Sequence, residues 1–86
     1  MADYTVTFVR SAREELEELD EKTVKRIMPK IEALELEPRP HGCQKLVGEK
    51  NLWRIRVGDY RVIYSIYDAS RSVEIVSVRH RREAYR

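Results

Sequence analysis

The chain has 86 residues, 42% of them hydrophobic and 37% charged, and a formal net charge of +2. That length makes one domain, 1–86, with a small core and no room for a second. A single cysteine, Cys43, excludes an intramolecular disulfide, and no apolar run approaches the roughly 18 residues of a membrane span or forms a signal-peptide core; a reducing, cytoplasmic setting without membrane contact is expected.

In chain order, Tyr4-Thr5-Val6-Thr7-Phe8 alternates and predicts a first strand with Tyr4, Val6 and Phe8 facing the core. Ser11 followed by Glu14 has the spacing of a capping box, with Glu14 and Glu15 in the first turn of a helix whose apolar face carries Ala12, Leu16 and Leu19. Asp20 to Thr23 interrupts that pattern and recaps a second helix, on which Val24, Ile27, Ile31 and Leu34 recur at helical spacing. Pro29 falls inside this stretch, and a bend is expected there because proline forgoes one backbone bond. Glu37 to Gly42, with two prolines and a glycine, is a loop.

Three strands follow, near 51–57, 60–67 and 73–79, separated by a tight Gly58-Asp59 turn and by Asp68-Ala69-Ser70-Arg71. The order strand, helix, helix, strand, strand, strand predicts an α+β fold, β-α-α-β-β-β. A helical hairpin packs on one face of a mostly antiparallel four-stranded sheet.

Charge is distributed unevenly. Residues 1–40 hold seven Lys/Arg against ten Asp/Glu, while residues 41–86 hold ten against five. In the basic half the arginines sit in strand register. Alternation along Leu52-Trp53-Arg54-Ile55-Arg56-Val57 sends Trp53, Ile55 and Val57 to the core and Arg54 and Arg56 to the other face, joined by Arg61 and by Arg79 or Arg81. Guanidinium groups on neighbouring strands clamp phosphate through fixed forks of donors, and they stabilise the extra charge of a pentacoordinate transition state. No acidic cluster with Mg²⁺-ligand geometry accompanies them, since Asp59 lies in a turn and Glu49 and Glu83 are isolated. His41 and Cys43 lack further metal ligands. A metal-free site needing no cofactor is therefore expected. Arginine cannot abstract a proton, so His80, Glu83 and Tyr85 are the groups to help a ribose 2′-hydroxyl attack the adjacent phosphate, and Tyr85 also offers a ring for an unstacked base.

The segment Lys45-Leu46-Val47-Gly48, the run Leu52-Trp53-Arg54-Ile55-Arg56-Val57-Gly58-Asp59-Tyr60-Arg61-Val62-Ile63-Tyr64 and the tail Val78-Arg79-His80-Arg81-Arg82-Glu83-Ala84-Tyr85 together resemble the RelE family of the RelE/ParE toxin superfamily. The resemblance spans nearly the whole chain. It implies a toxin of a type II toxin–antitoxin pair that cleaves mRNA in the ribosomal A site without metal, through 2′-hydroxyl attack that leaves a cyclic phosphate.

Carried over by position, Arg54 and Arg56 match the two basic residues of the family's second strand. Arg61 matches the arginine of the third, Arg81 the arginine after the last strand, and Tyr85 the tail tyrosine. These five form the implied catalytic set. Lys45, Arg79, His80, Arg82 and Arg86 are the expected RNA-binding residues. Well-known members carry lysine where Arg54 and Arg56 stand, which moves the general-base role toward Tyr85 or His80. The partners implied are a cognate RelB-like antitoxin, the ribosome with its A-site mRNA, and operator DNA contacted by a toxin–antitoxin hetero-oligomer through the antitoxin. Two other readings share these features: a ParE-like gyrase inhibitor without ribonuclease chemistry, and a non-catalytic member that binds RNA or only its antitoxin.

Overall fold

Alternating side chains in the last half of the chain build the sheet on which everything else rests. In the computed structural model, residues 3–84 are described. Strand β1 (Thr5–Phe8) leads into helices α1 (Arg10–Glu17) and α2 (Glu21–Glu32) and a 3-10 turn (Ala33–Glu35). Strands β2 (Gln44–Lys45), β3 (Trp53–Val57), β4 (Tyr60–Tyr67) and β5 (Ser72–His80) follow, and a short helix α3 (Arg81–Ala84) comes last. The sheet runs β1-β5-β4-β3-β2, with β1 parallel to β5 and the other pairs antiparallel. It has five strands rather than four. The extra one is the two-residue β2, too short to show an alternation, which pairs Gln44 with Arg54 and Lys45 with Trp53.

The helices cover one face, as the α+β order requires. Ala12, Ile27, Ile31 and Leu34 meet Ile55, Val57, Val62, Tyr64, Val73, Ile75 and Val78 in one core. Each such aliphatic side chain contributes about 1.5–3 kcal/mol by leaving water. The register keeps this face continuous across the strands, because Ile55 opposes Val62 and Val62 opposes Val78. Between Ile63/Ser77 and Tyr64/Ile75 the pairing skips Val76, a bulge that returns Ile75 to the core side.

Local signals resolve differently at the two helix starts. Asp20 caps α2, accepting from the Thr23 N–H at 2.8 Å, and that bond holds its carboxyl below the usual range. At α1 the capping box does not form. Val9 is the N-cap and its aliphatic side chain offers no acceptor; its own N–H is bound to the Ile75 carbonyl, so the chain turns straight from strand into helix. Ser11 is therefore already helical. Glu14 pairs with Arg10 at 3.3 Å, and Glu15 is freed for another use. Helix α2 continues through Pro29 to Glu32, the proline forgoing only the bond to the Lys25 carbonyl one turn back.

The β3–β4 hairpin also departs from the favoured Asp-Gly order. Gly58 has φ +60 while Asp59 stays at negative φ. A glycine with positive φ at the first turn position is the type II′ pattern, so Gly-Asp is the right order here.

Candidate functional site

The face of the sheet away from the helices takes the alternate residues of β3, β4 and β5. Arg56 lies directly opposite Arg61, and Arg61 directly opposite Arg79, so three guanidinium-bearing positions form one row across three strands. At the turn end of this row the chain closes a cleft of about 320 Å³ lined by Arg56, Gly58, Asp59, Tyr60, Arg61, Arg81 and Arg82. A backbone bond fixes its far wall: the Arg81 N–H donates to the Asp59 carbonyl at 2.7 Å, which ties the start of α3 to the β3–β4 turn. Four arginines thus line one volume, large enough for a phosphate and part of a nucleotide.

Other expected residues are placed elsewhere. Arg54 shares the outer face with Arg56 yet is only 7% exposed, and its guanidinium donates to the Gln44 side chain of β2. It belongs to the sheet edge rather than to the cleft lining. Lys45 stands beside Trp53 with its ammonium 5.9 Å from the indole centroid, while Arg39 covers the same ring at 4.8 Å. Trp53 is half-buried and packs against the core. Arg79 donates through Nε to Glu15 Oε2 at 2.5 Å, and Glu15 Oε1 accepts the Val78 N–H at 3.0 Å. Glu15 therefore occupies the edge of β5 where β1 has already ended, satisfying a backbone donor that would otherwise lack a strand partner.

His80 faces the helix side, in the same row as Tyr60. The two rings meet edge to face at 5.3 Å, and His80 Nδ1 accepts the Arg82 N–H at 3.2 Å. The imidazole lines a separate cavity with Glu15, Glu18, Leu19, Tyr60 and Val78. Tyr85 and Arg86 lie outside the described residues. Among the described residues, no three His, Cys, Asp or Glu side chains are grouped to hold a metal ion, and no helix is long and apolar enough to cross a membrane.

Asp59 and Tyr60 line the cleft but were legible in the sequence only as turn and strand residues. The signal that could have found them is position: they sit between the two arginine-bearing strands. A second cluster, remote in sequence, holds the opposite end of the domain. Arg39 grips Asp68 with two bonds of 2.9 and 3.3 Å, and Tyr4 donates to Asp68 at 2.7 Å. The Arg39 guanidinium, followed by the Tyr4 hydroxyl, holds the Asp68 carboxyl below its usual range.

Fold and cleft together define a class: a small α+β domain with an arginine-lined cleft at one end of its sheet. The sequence sharpens this. Residues 6–85 match the profile of the ParE toxin of type II toxin–antitoxin system, parDE, and the chain belongs to that toxin family, within the RelE/ParE superfamily. It is similar to the archaeal RelE–RelB complex from Pyrococcus horikoshii OT3, with 31% identity, 92% of this chain and 96% of that one covered, and a TM-score of 0.80. It is likewise similar to the RelBE2 toxin–antitoxin complex from Mycobacterium tuberculosis, at 30% identity, 93% coverage of each chain and a TM-score of 0.81. The YoeB/ParE toxin from Agrobacterium tumefaciens shares the fold at 19% identity, 88% and 96% coverage and a TM-score of 0.77. A comparison with curated protein sequences gives no match.

Proposed function

We propose that this toxin is a metal-independent endoribonuclease that cleaves mRNA in the ribosomal A site and so stops translation in the cytoplasm. The observation that carries the reading is the convergence of Arg56, Arg61, Arg81 and Arg82 on one cleft. In the reaction, a ribose 2′-oxygen forms a bond to the adjacent phosphorus, the bond to the 5′-oxygen breaks, and a cyclic phosphate remains. The 2′-hydroxyl proton must go to a base, and the leaving 5′-oxygen must receive one. Arg56, Arg61 and Arg81 bind the phosphate and stabilise the charge that builds on it. Arg54 steadies the strand that carries Arg56.

Arginine takes no part in the proton transfers. The proton transfers fall to Tyr85 or to His80, whose Nδ1 accepts the Arg82 N–H while its Nε2 stays available. Lys45, Arg79, Arg82 and Arg86 add phosphate contacts.

The partner is a RelB-like antitoxin, in keeping with the RelE–RelB complex of Pyrococcus horikoshii. An acidic or amphipathic antitoxin segment covers the cleft, and the hetero-oligomer reaches operator DNA through the antitoxin. Purified ribosomes programmed with a defined mRNA test the reading. Wild-type protein yields A-site cleavage with a cyclic phosphate end, and Tyr85→Phe slows single-turnover cleavage far more than it weakens binding. Equal turnover by mutant and wild type removes Tyr85 from the mechanism. The ParE profile match favours one second reading, inhibition of gyrase; trapped gyrase–DNA complexes with intact mRNA would establish it instead.

A further inference from the structure

The cavity that holds the His80 ring, of about 200 Å³, lies beside the arginine cleft and shares one wall with it. Tyr60 lines both. The other walls are Glu18 and Leu19 at the end of α1, Glu15 one turn earlier, and Val78 and His80 of β5. The residue after His80 is Arg81, which belongs to the cleft, so a single step along the chain joins the two. A volume of that size, walled by Leu19 and the rings of Tyr60 and His80, admits one flat unstacked base and little more.

The charge in this cavity runs against its surroundings. Four arginines line the cleft, and Gly58 leaves room for another: a Cβ there would stand 2.7 Å from Nη2 of Arg26 on α2. Glu15 has a structural use, since its two oxygens accept from the Val78 N–H and from Arg79 Nε. Glu18 has none of that kind. It is exposed, and it is the C-cap of α1, where the helix dipole disfavours a carboxylate. It enters no salt bridge among the described residues. A carboxylate so close to an anion site weakens the hold on a phosphodiester backbone. What it offers instead is two acceptor oxygens for N–H groups.

We propose that this cavity reads a guanine base of the RNA strand whose phosphate lies in the arginine cleft, with Glu18 accepting the N–H donors of its Watson–Crick edge. Guanine alone among the four bases presents two donors side by side, N1–H and the 2-amino group, which meet both oxygens of one carboxylate. Adenine and cytosine set one amino donor beside a ring-nitrogen acceptor, and uracil sets its N–H between two carbonyl oxygens; a carboxylate repels those acceptors. Tyr60, His80 and Leu19 enclose the ring. The inference rests on the cleft being an RNA site, but not on its being catalytic. It adds a base preference that the arginines cannot supply, because phosphate contacts carry no sequence information.

The test follows amide NMR shifts of the full chain titrated with 2′-O-methyl tetranucleotides, which lack the nucleophile. One probe is all uridine, and the others carry a single guanosine, inosine or adenosine. Wild-type protein should bind the guanosine probe about tenfold more tightly than the adenosine probe. Inosine, which lacks the 2-amino group, should fall between them, and the shifts should include Leu19, Tyr60 and Val78. Glu18→Gln should bring guanosine binding down to the adenosine level while all-uridine binding holds or tightens, because a negative charge has gone. A merely structural role would weaken every probe alike. Glu17→Gln, exposed on the same helix and outside this cavity, should keep the wild-type order. Equal affinity for all probes, or binding of none, overturns the inference, as does a guanosine preference that survives Glu18→Gln. Guanine-selective binding in a protein that cleaves nothing on ribosomes removes only the ribonuclease reading. Cleavage on ribosomes with equal binding of every probe removes only the guanine site.

Discussion

Arg56 and Arg61 stand directly opposite each other across the β3–β4 pair. Like charges at such a position oppose strand pairing, by about 0.5 kcal/mol. A sheet selected only for stability would place an opposite charge or a β-branched residue there. Both residues instead line the cleft that Arg81 and Arg82 complete.

Arg56→Gln is therefore expected to raise stability slightly while abolishing most RNA cleavage. Urea unfolding and single-turnover cleavage on ribosomes check the two halves separately. Lower stability together with lost activity would mean that Arg56 is a structural residue.

Arg54, two residues earlier on the same face, should behave in the opposite sense. Its guanidinium is buried and bonded to Gln44, the residue that makes β2 an edge strand. Arg54→Ala is expected to cost about 1.5–3 kcal/mol, the worth of a hydrogen bond from a charged group, and to loosen β2. Cleavage per folded molecule should fall less than in Arg56→Gln. Denaturation midpoints, with cleavage assayed well below them, separate the effects.

The contrast between these two arginines shows how far the sequence could be read. Period-two alternation is a local property, and it assigned Arg54, Arg56 and Arg61 to the outer face without difficulty. Their exposure depends on what lies beside the strand. Gln44 and Lys45 are too few to show a period, so the strand that engages Arg54 left no trace in the pattern. Glu15 looked like a helix-dipole residue. Its role at the β5 edge follows from where β1 ends relative to β5, a register that no single segment encodes. Asn51 is similar: read as strand, it instead uses its side-chain amide to pair with the Ile66 backbone at 2.7 and 3.2 Å. Helix α2 was legible because its cap, its apolar spacing and its length all agree. The link between Arg26 and Gly58 was not, because it joins residues 32 apart through a glycine's missing side chain.

His80 caps α3 with Nδ1 and packs its ring on Tyr60, and two variants separate those roles. His80→Asn keeps a capping acceptor and loses the ring, while His80→Phe keeps a ring and loses the acceptor. If the cap is what directs Arg81 and Arg82 to the cleft, cleavage falls in His80→Phe and is largely retained in His80→Asn. The lost cap costs about 1 kcal/mol. Hydrogen exchange at the Arg82 amide reports the cap directly, with faster exchange in the Phe variant alone. The reverse ranking of the two variants would assign the effect to ring packing or to proton transfer.

Tyr64 is expected to shape the alkaline limit of stability. It is fully buried, and its hydroxyl donates to the Pro38 carbonyl at 2.8 Å, which anchors the proline loop over the core. Burial, then the neighbouring Cys43, pushes its phenol well above the ordinary value of 10.0. In the unfolded chain the phenol ionises near that ordinary value, while in the folded protein it stays protonated. The stabilisation is therefore complete below about pH 10 and declines as pH climbs from there toward the folded value. Tyr64→Phe should flatten this alkaline limb. Tyr4, whose phenol is raised by its hydrogen bond to Asp68, adds to what remains. At neutral pH the same variant leaves the Pro38 carbonyl without its donor, at a cost of about 1–2 kcal/mol. Urea midpoints from pH 7 to 11 test both parts: the variant starts below wild type and the two curves converge as pH rises. Parallel curves would show that Tyr64 ionises alike in the folded and unfolded chain.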